Sequence, residues 1–571
     1  MISFQFLLSR LLLVGVLATS ASASAAPDAL EVDMRLPRSP PLRSQGELRI
    51  VNAELSPDGF SRIGVLADGQ FPGPLITATK GEVLDITVYD ELVDNSFFKS
   101  TSIHWHGLRQ QGVAWADGPT QVTQCPISPG HSFRYRVRTD DLTGTYWYHS
   151  HIRGQYCDGL RGALVIYDPE DPHACLYDVD DESTVITLAD WYVRDFITLV
   201  LSMSDLTLDV QVSQWCTIDN PSTSFFQPGA RVQANSTLIN GLGRYQGGPA
   251  TALAVINVEQ GKRYRFRLIA MVCDPNYIFS IDGHTMTIIE ADGINHEALE
   301  VDSLQIFAAQ RYSFVLNAQQ PIDNYWIRAN PSATGIPGFE GGINSAILRY
   351  KGAPEQEPTV GRNVTSNLLQ QTDLHPLESP GAPGEPVVDG ADVNLNLAIS
   401  FNSTAGRFQI NGQTFVPPTV PVLLQILSGA KNAQSLLPSG SVYELPLNKT
   451  IQISMPNPDG VGSPHPMHLH GHHFDVIRSA GSSTYNFKNP VRRDVVSVGN
   501  SSTDNVTIRF RTDNAGPWFL HCHIEPHLGL GLAVVMAEGI QQTPEANPVP
   551  EEWNDLCPVY EATKANDLPL D

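Results

Sequence analysis

The sequence predicts an all-β fold made of three repeated β-sandwich domains. Three observations point to it. Short stretches alternate apolar and polar residues with period two. Glycine and proline punctuate the whole chain. One strand-like segment recurs near the end of each of three blocks.

The alternation is clearest in Val83-Leu84-Asp85-Ile86-Thr87-Val88, Phe133-Arg134-Tyr135-Arg136-Val137 and Tyr264-Arg265-Phe266-Arg267-Leu268. Side chains two apart share one face of a strand, so each stretch reads as a strand with one face in a core. The 45 glycines and 42 prolines suit short strands joined by turns better than long helices. The recurring segment is Gly144-Thr145-Tyr146-Trp147-Tyr148-His149-Ser150-His151 in the first block and Gly516-Pro517-Trp518-Phe519-Leu520-His521-Cys522-His523 in the third. Asn324-Tyr325-Trp326-Ile327-Arg328-Ala329-Asn330 is its histidine-free counterpart in the second. Metal residues in only the first and last copies place a metal site between those two domains.

The blocks divide the chain into domains at 47–169, 170–350 and 394–571, the last including a C-terminal tail. Residues 351–393 are rich in proline and glycine and read as a linker or a long crossing loop. Residues 1–25 read as a signal peptide, with Arg10, the apolar run Leu11–Leu17 and the small residues Ala23-Ser24-Ala25. That run is too short to span a bilayer. Residues 26–46 read as a short propeptide. The expected product is secreted and extracellular, and sequons at Asn235, Asn363, Asn402, Asn448, Asn500 and Asn505 agree with that route. A net charge of −24 repels phosphate, which disfavours nucleic acid and anionic membranes as partners.

Ten of the 17 histidines fall in four groups: His104-x-His106, His149-x-His151, His465-x2-His468-x-His470 and His521-Cys522-His523-x3-His527. Structural histidines usually stand alone, which is the reading for His131, His173, His284, His296 and His375. His472 and His473 abut the third group and are left outside it. Residues two apart on a strand lie about 7 Å apart on one face, too far for most single ions but suited to neighbouring ones. The four His-x-His pairs therefore supply imidazoles for a cluster of several metals. In His521-Cys522-His523 the two histidines face one way and the cysteine the other. Cys522 with His465 and His527 forms a thiolate–diimidazole set of the blue-copper kind, and Leu532 stands where a weak axial methionine often sits. Zinc is the competing reading, but these residues match none of its usual spacings.

With these motifs the chain resembles the fungal laccases of the blue multicopper oxidase family, especially those of basidiomycetes. The likeness runs from about Leu48 to Tyr560. It includes Trp115-Ala116-Asp117-Gly118-Pro119, Gln155-Tyr156-Cys157-Asp158-Gly159-Leu160-Arg161-Gly162 and Ile306-Phe307-Ala308-Ala309-Gln310-Arg311-Tyr312-Ser313-Phe314. The resemblance implies three cupredoxin-like Greek-key sandwiches holding four copper ions. It assigns His465, Cys522 and His527 to a type 1 copper, and His104 and His468 to a type 2 copper. His106, His149, His151, His470, His521 and His523 fall to a type 3 pair. Asp117 and Asp494 match acidic residues the family uses to deliver protons, although capping of loops by aspartate explains them equally well. Asp274 matches the carboxylate of the family's substrate pocket; otherwise it is a loop residue turning the chain before Pro275.

The implied enzyme is a laccase, a benzenediol:oxygen oxidoreductase, acting as a monomer on phenolic small molecules and lignin-derived aromatics with dioxygen. Another multicopper oxidase, a ferroxidase or ascorbate oxidase, is the first alternative, and no full set of iron-binding acids flanks the type 1 histidines. A copper or electron-transfer protein without oxidase activity is the second, and it would have no use for the cluster histidines. The chain departs from the family pattern at Pro526, where an aromatic residue is usual, and at Gly529, where glutamate is common. Residues 193–232 are either a surface insertion or a misread intron. Of the seven cysteines, Cys522 is the copper ligand. The resemblance implies Cys125–Cys557 and Cys157–Cys273 disulfides. Cys175 and Cys216 remain as a third pair, since exported proteins rarely leave two thiols free.

Overall fold

The structure is a computed structural model that describes residues 40–193, 233–332, 334–359, 366–462 and 464–564, with the backbone of residues 30–31. Strands dominate. They form a five- and a four-stranded sheet in the first domain, and a seven- and a five-stranded sheet in the second. The third has two five-stranded sheets and a two-stranded ribbon.

The three domains share one wiring. The last strands, Arg161–Tyr167, Ser345–Tyr350 and Ala533–Glu538, run parallel to the early strands Gly73–Thr79, Val255–Val258 and Val442–Leu445. Each also pairs antiparallel with the strand just before it. Those preceding strands are Gly144–Ser150, Asn324–Pro331 and Gly516–Cys522. They are the recurring segment of the sequence, so the repeat in sequence is a repeat in topology.

Two of the three alternating stretches behave as their pattern predicts. Val83–Asp90 and Ser132–Arg138 alternate buried and more exposed residues along their length. The third does not. In Arg263–Ala270 every residue after the first is buried, Arg265 and Arg267 included. Their polar face is an interdomain seam rather than a solvent face. Arg265 pairs with Asp171 and Glu290, and Arg267 with Asp180. Arg267 Nη1 also donates to Thr145 Oγ1 of the first domain at 3.0 Å, while the Thr145 amide donates to Glu290 at 2.7 Å. Buried charges survive only when paired, and here the paired cluster is joined to the first sandwich by its two hydrogen bonds with Thr145.

The crossing segment is stitched down on both sides. The amides of Leu369 and Leu377 donate to Ser303 and Asn295 of the second domain, and that of Ala382 to Phe487 of the third. The tail does not stay with the third domain. It forms the helix Glu551–Thr563, whose Trp553 and Leu556 sit in the hydrophobic core of the first. Trp553 Nε1 donates to the Thr123 carbonyl at 3.0 Å, and Cys557 is bonded to Cys125. At the other end, the strand Gln45–Leu55 pairs Gln45 and Gly46 with Asp85 and Ile86. An internal strand of the first sheet thus begins two residues inside the segment read as a propeptide, and residues 30–31 of that segment pair with the same strand.

Cys157 is bonded to Cys273. Cys175 is exposed and makes no disulfide among the described residues. The signal peptide, most of the propeptide, the insertion beyond Val193, Cys216 and Asn363 lie outside the described residues. No helix among the described residues is long and apolar enough to cross a membrane.

Because Trp553 fills the first domain's core from the far end of the chain, Trp553→Ala should cost about 3–5 kcal/mol. Thermal unfolding of the variant should show the first domain loosening earlier than in the parent chain.

Candidate metal centre

Strand parity builds the site. Ile103–His106 and Gly144–Ser150 pair so that His104 faces His149 across the ladder. Pro466–Leu469 and Gly516–Cys522 pair so that His468 faces His521. Trp105, between His104 and His106, points into the core of the first domain. Cys522, between His521 and His523, points into the core of the third, which also holds Met467 and Leu532. The histidines on the opposite faces of these strands meet between the two domains.

There they form a nest of eight buried or nearly buried rings. His106, His149 and His523 bring their ligand atoms within 4.8 Å of one another, as do His151, His470 and His521, and a third set of His104, His106 and His468. The His470 and His521 Nε2 atoms are 3.1 Å apart. The ring centroids of His106 and His468 are 3.9 Å apart, and those of His104 and His470 4.0 Å.

The outward nitrogens are tied down. The Nδ1–H of His104 donates to the Asp117 carbonyl at 2.7 Å and that of His149 to the Ser150 carbonyl at 2.8 Å. The Nδ1–H of His468 donates to the Asp494 carbonyl at 2.9 Å and that of His521 to the Cys522 carbonyl at 3.0 Å. His470 Nδ1 donates to the Asp117 carboxylate at 2.8 Å. A carbonyl can only accept, so in these rings Nδ1 carries the proton and Nε2 presents a lone pair. The Nε2 atoms of His104, His149, His151, His468 and His523 are buried with no hydrogen-bond partner. Each such orphan costs about 1–3 kcal/mol. Inward lone pairs left without protons are what a metal cluster requires.

Burial supports this state. It pulls His106, His149, His151, His468, His470, His521 and His523 well below the usual histidine range, and mutual repulsion adds to it. The rings are therefore neutral, which is the ligating form.

A second centre lies on the other face of the Cys522 strand. Cys522 Sγ is 3.7 Å from His465 Nδ1 and 3.5 Å from His527 Nδ1, and those two nitrogens are 3.1 Å apart. A single ion fits among three atoms at such separations, and one thiolate with two imidazoles is a copper-type donor set. His465 Nε2–H donates to the Val461 carbonyl at 2.9 Å, which leaves Nδ1 as the free nitrogen. Burial lowers His465 to about 4 and pushes the Cys522 thiol up. A bound cation would displace that thiol proton. Leu532 is fully buried, and its backbone closes the loop: Cys522 N donates to Leu532 O at 3.1 Å and Leu532 N to His527 O at 3.0 Å. His527 is half-buried, with Phe408 packed on it at 4.7 Å between ring centroids. Gly462 (φ +71°) borders the same ring, because a Cβ there would come within 3.1 Å of it.

Pro526 and Gly529 lie in the short helix Glu525–Gly529. Proline suits a first helical turn, so the departure is sterically mild. The Gly529 carbonyl accepts from Arg407 Nη1 at 3.3 Å.

The carboxylates have distinct places. The partners of Asp117 and Asp494 are site groups rather than loop amides. Asp117 accepts from His470, and Asp494 is gripped by Arg311 through two contacts of 2.7 Å. Asp494 also lies 3.4 Å from His106 Nε2. Asp274 is half-buried on a loop pinned to the ligand helix, since Glu525 N donates to Cys273 O at 2.9 Å. The amides of Cys273 and Asp274 both donate to the Asp190 carboxylate.

His472 and His473 turn away from the nest, toward Glu538 and the Asp292 carbonyl. Sequence reasoning missed Glu525 and Arg311. Glu525 borders a cavity of about 150 Å³ that reaches His149, His151, His521 and His523, and burial raises its carboxyl to about 8. Its adjacency to His523 was the available signal. Arg311 carried none, being far in sequence from every histidine motif.

A sandwich triplet with one metal nest between its outer members and a thiolate centre in the last defines a class, and comparison bears this out. Multicopper oxidase family models match residues 49–171, 182–353 and 415–542. The chain belongs to the multicopper oxidase family. Its place there is among the fungal laccases. It is 57% identical over 530 residues to Laccase-5 of Trametes villosa, covering 91% of this chain and 94% of that one. The laccase of Botrytis aclada superposes with a TM-score of 0.77 at 28% identity, over 93% of this chain and 94% of that one. Fet3p, a multicopper oxidase that functions in iron import, superposes with a TM-score of 0.76 at 28% identity, over 91% and 95%. The fold thus accommodates both kinds of protein, equally distant in sequence at 28% identity, and it is the 57% identity to a Trametes laccase that places the chain.

Cys522→Ser should abolish the blue thiolate-to-copper absorption and substrate oxidation, while the histidine nest still takes up copper. Absorption spectroscopy with copper analysis checks this, and a blue, active variant would remove Cys522 from the centre.

Proposed function

We propose that the protein is a secreted laccase that holds four copper ions and couples phenol oxidation to the reduction of dioxygen to water. His465, Cys522 and His527 hold the type 1 ion, with Leu532 a non-ligand in the axial position. His104 and His468 hold the type 2 ion. His106, His149 and His523 hold one ion of the type 3 pair, and His151, His470 and His521 the other. Copper supplies reversible one-electron chemistry, and four ions store the four electrons that one dioxygen needs. The observation that carries this reading is the His521-Cys522-His523 strand, which puts one residue of a thiolate centre between two members of the histidine nest.

Four phenols give up four electrons and four protons, the number that converts one dioxygen into two waters. The half-buried edge of His527 is the entry for electrons. From Cys522 the backbone leads directly into His521 and His523, a short covalent route. Asp274, on the loop braced by the Cys157–Cys273 disulfide, accepts the proton that a phenol releases more readily as it loses an electron. The loop's fixation suits a precise contact. Asp117 orients His470, and Asp494 faces His106; both stand beside the nest where protons must arrive. Glu525, protonated over the neutral range by burial, stores a further proton at the edge of the cavity. Secretion and extracellular action follow from the leader-like first residues and the sequons. The fit to small aromatic donors rather than iron rests on kinship with laccases and on the lack of a full set of iron-binding acids beside the type 1 histidines in the sequence.

Oxygen uptake should be strong with a phenol and weak with ferrous iron or ascorbate; preference for either of the last two would overturn the reading.

Asp274→Asn should retain its copper but lose phenol turnover at acidic pH by about tenfold or more, as expected for a lost general base. The variant's optimum should shift upward, to where phenols ionise unaided, and non-phenolic donors should be little affected. Unchanged phenol pH–rate profiles would remove Asp274 from the site.

A further inference from the structure

The middle domain provides none of the proposed ligands, yet one of its side chains reaches the nest. Arg311 lies on the strand Arg311–Asn317 and is fully buried. Its Nη1 and Nη2 donate to the two oxygens of Asp494, both at 2.7 Å. Its Nε donates to the Thr145 carbonyl of the first domain at 3.0 Å, on the strand that carries His149. Its own amide donates to Asp292 at 2.8 Å, and Asp292 in turn accepts from Arg493 at 2.8 Å. Its Nη1 also donates to the Ala309 carbonyl of its own domain at 3.2 Å, so one guanidinium bonds to all three sandwiches.

Asp494 stands between this arginine and two histidines. Its carbonyl accepts from His468 Nδ1, and its carboxylate faces His106 Nε2. His106 is the exception in the nest. His104, His149, His468, His470 and His521 turn Nδ1 outward to an acceptor, whereas His106 turns Nε2 toward Asp494. Neither ring nitrogen of His106 has a hydrogen-bond partner among the described residues, but Nε2 is the one beside the Asp494 carboxylate, 3.4 Å away. A carboxylate beside Nε2 favours the proton there and leaves Nδ1 as the lone-pair nitrogen. The space for this arrangement comes from Gly107, directly after His106 (φ +92°). A Cβ at that position would come within 2.4 Å of Arg311 Nη2 and 2.9 Å of Asp494 Oδ2.

We propose that Arg311 is a positioning residue for the histidine nest: by fixing Asp494 with a two-pronged grip, it sets which nitrogen His106 presents and holds His106 and His468 as a stacked unit. The proposal rests on the copper reading above. A planar fork can lock a carboxylate's rotation, whereas a lysine ammonium cannot. A residue supporting a ligand in this way typically governs metal retention about 10–100-fold.

The test uses the full-length holoprotein and the variants Arg311→Gln, Arg311→Lys and Arg265→Gln. Arg265 is equally buried and paired with carboxylates on the same middle-domain sheet, and so controls for loss of a buried ion pair. Copper per chain is measured during challenge with a chelator, together with the paramagnetic resonance signals of the type 1 and type 2 ions. In Arg311→Gln, cluster copper should be lost about 10–100-fold more readily, with the type 1 signal and blue colour retained as evidence of a folded third domain. Arg311→Lys keeps the charge and should fold, yet show an altered type 2 signal; it decides the matter if the glutamine variant does not fold. Arg265→Gln should lower thermal stability without changing the type 2 signal. Wild-type retention and signals in both Arg311 variants would overturn the proposal, as would equal loss of cluster copper in Arg265→Gln. A wild-type protein that takes up no copper at the nest would overturn the functional reading along with it.

Discussion

Neutral imidazoles facing inward at the seam of two sandwiches are the constraint on which the rest of the structure depends. Their lone pairs are unsatisfied within the protein, and their mutual repulsion resists protonation. Such a group of atoms is unstable by itself. It persists because the outward nitrogens of His104, His149, His468, His470 and His521 are bonded to backbone carbonyls or a carboxylate, and because two sandwiches are held at a fixed spacing. The buried ion pairs Arg311–Asp494 and Arg493–Asp292, which join the second domain to the third, and the Arg267–Thr145 bond, which joins it to the first, maintain that spacing. They are costly to bury and more costly to break, so they resist sliding of one sandwich on another.

The fold and the groups of histidines were legible because strand parity is a local rule. His104-x-His106 and His521-Cys522-His523 declare which side chains share a face without any knowledge of what lies opposite. The recurring closing strand was legible for the same reason. What could not be read was set by distant partners. Arg265 and Arg267 look like the wet face of a strand until a second sandwich covers them. The orientation of each imidazole depends on carbonyls such as those of Asp117 and Asp494, brought near only by folding. The tail carried a disulfide expectation but no sign that its helix would complete another domain's core.

The two centres are separated by the thickness of one strand, and their surroundings differ accordingly. Around His465 and His527 the packing is aromatic and close to the surface. Around the nest it is polar, with carboxylates beside the rings and a cavity edged by Glu525. An electron donor too large to enter the protein can meet the first environment, while a small gas molecule can reach the second. A single peptide segment connects them, so communication between the two faces does not depend on the domains moving.

The C-terminal helix has a consequence for biosynthesis. Trp553 and Leu556, which follow the third sandwich in sequence, are part of the core of the sandwich made first. Helix Val422–Leu427 adds Leu423 to the same core. The first sandwich therefore cannot complete its core until residues beyond the third sandwich have been made. Assembly of the two halves of the histidine nest is accordingly a late event, and a truncated chain lacking only its last turns would lose the clasp that holds its beginning to its end.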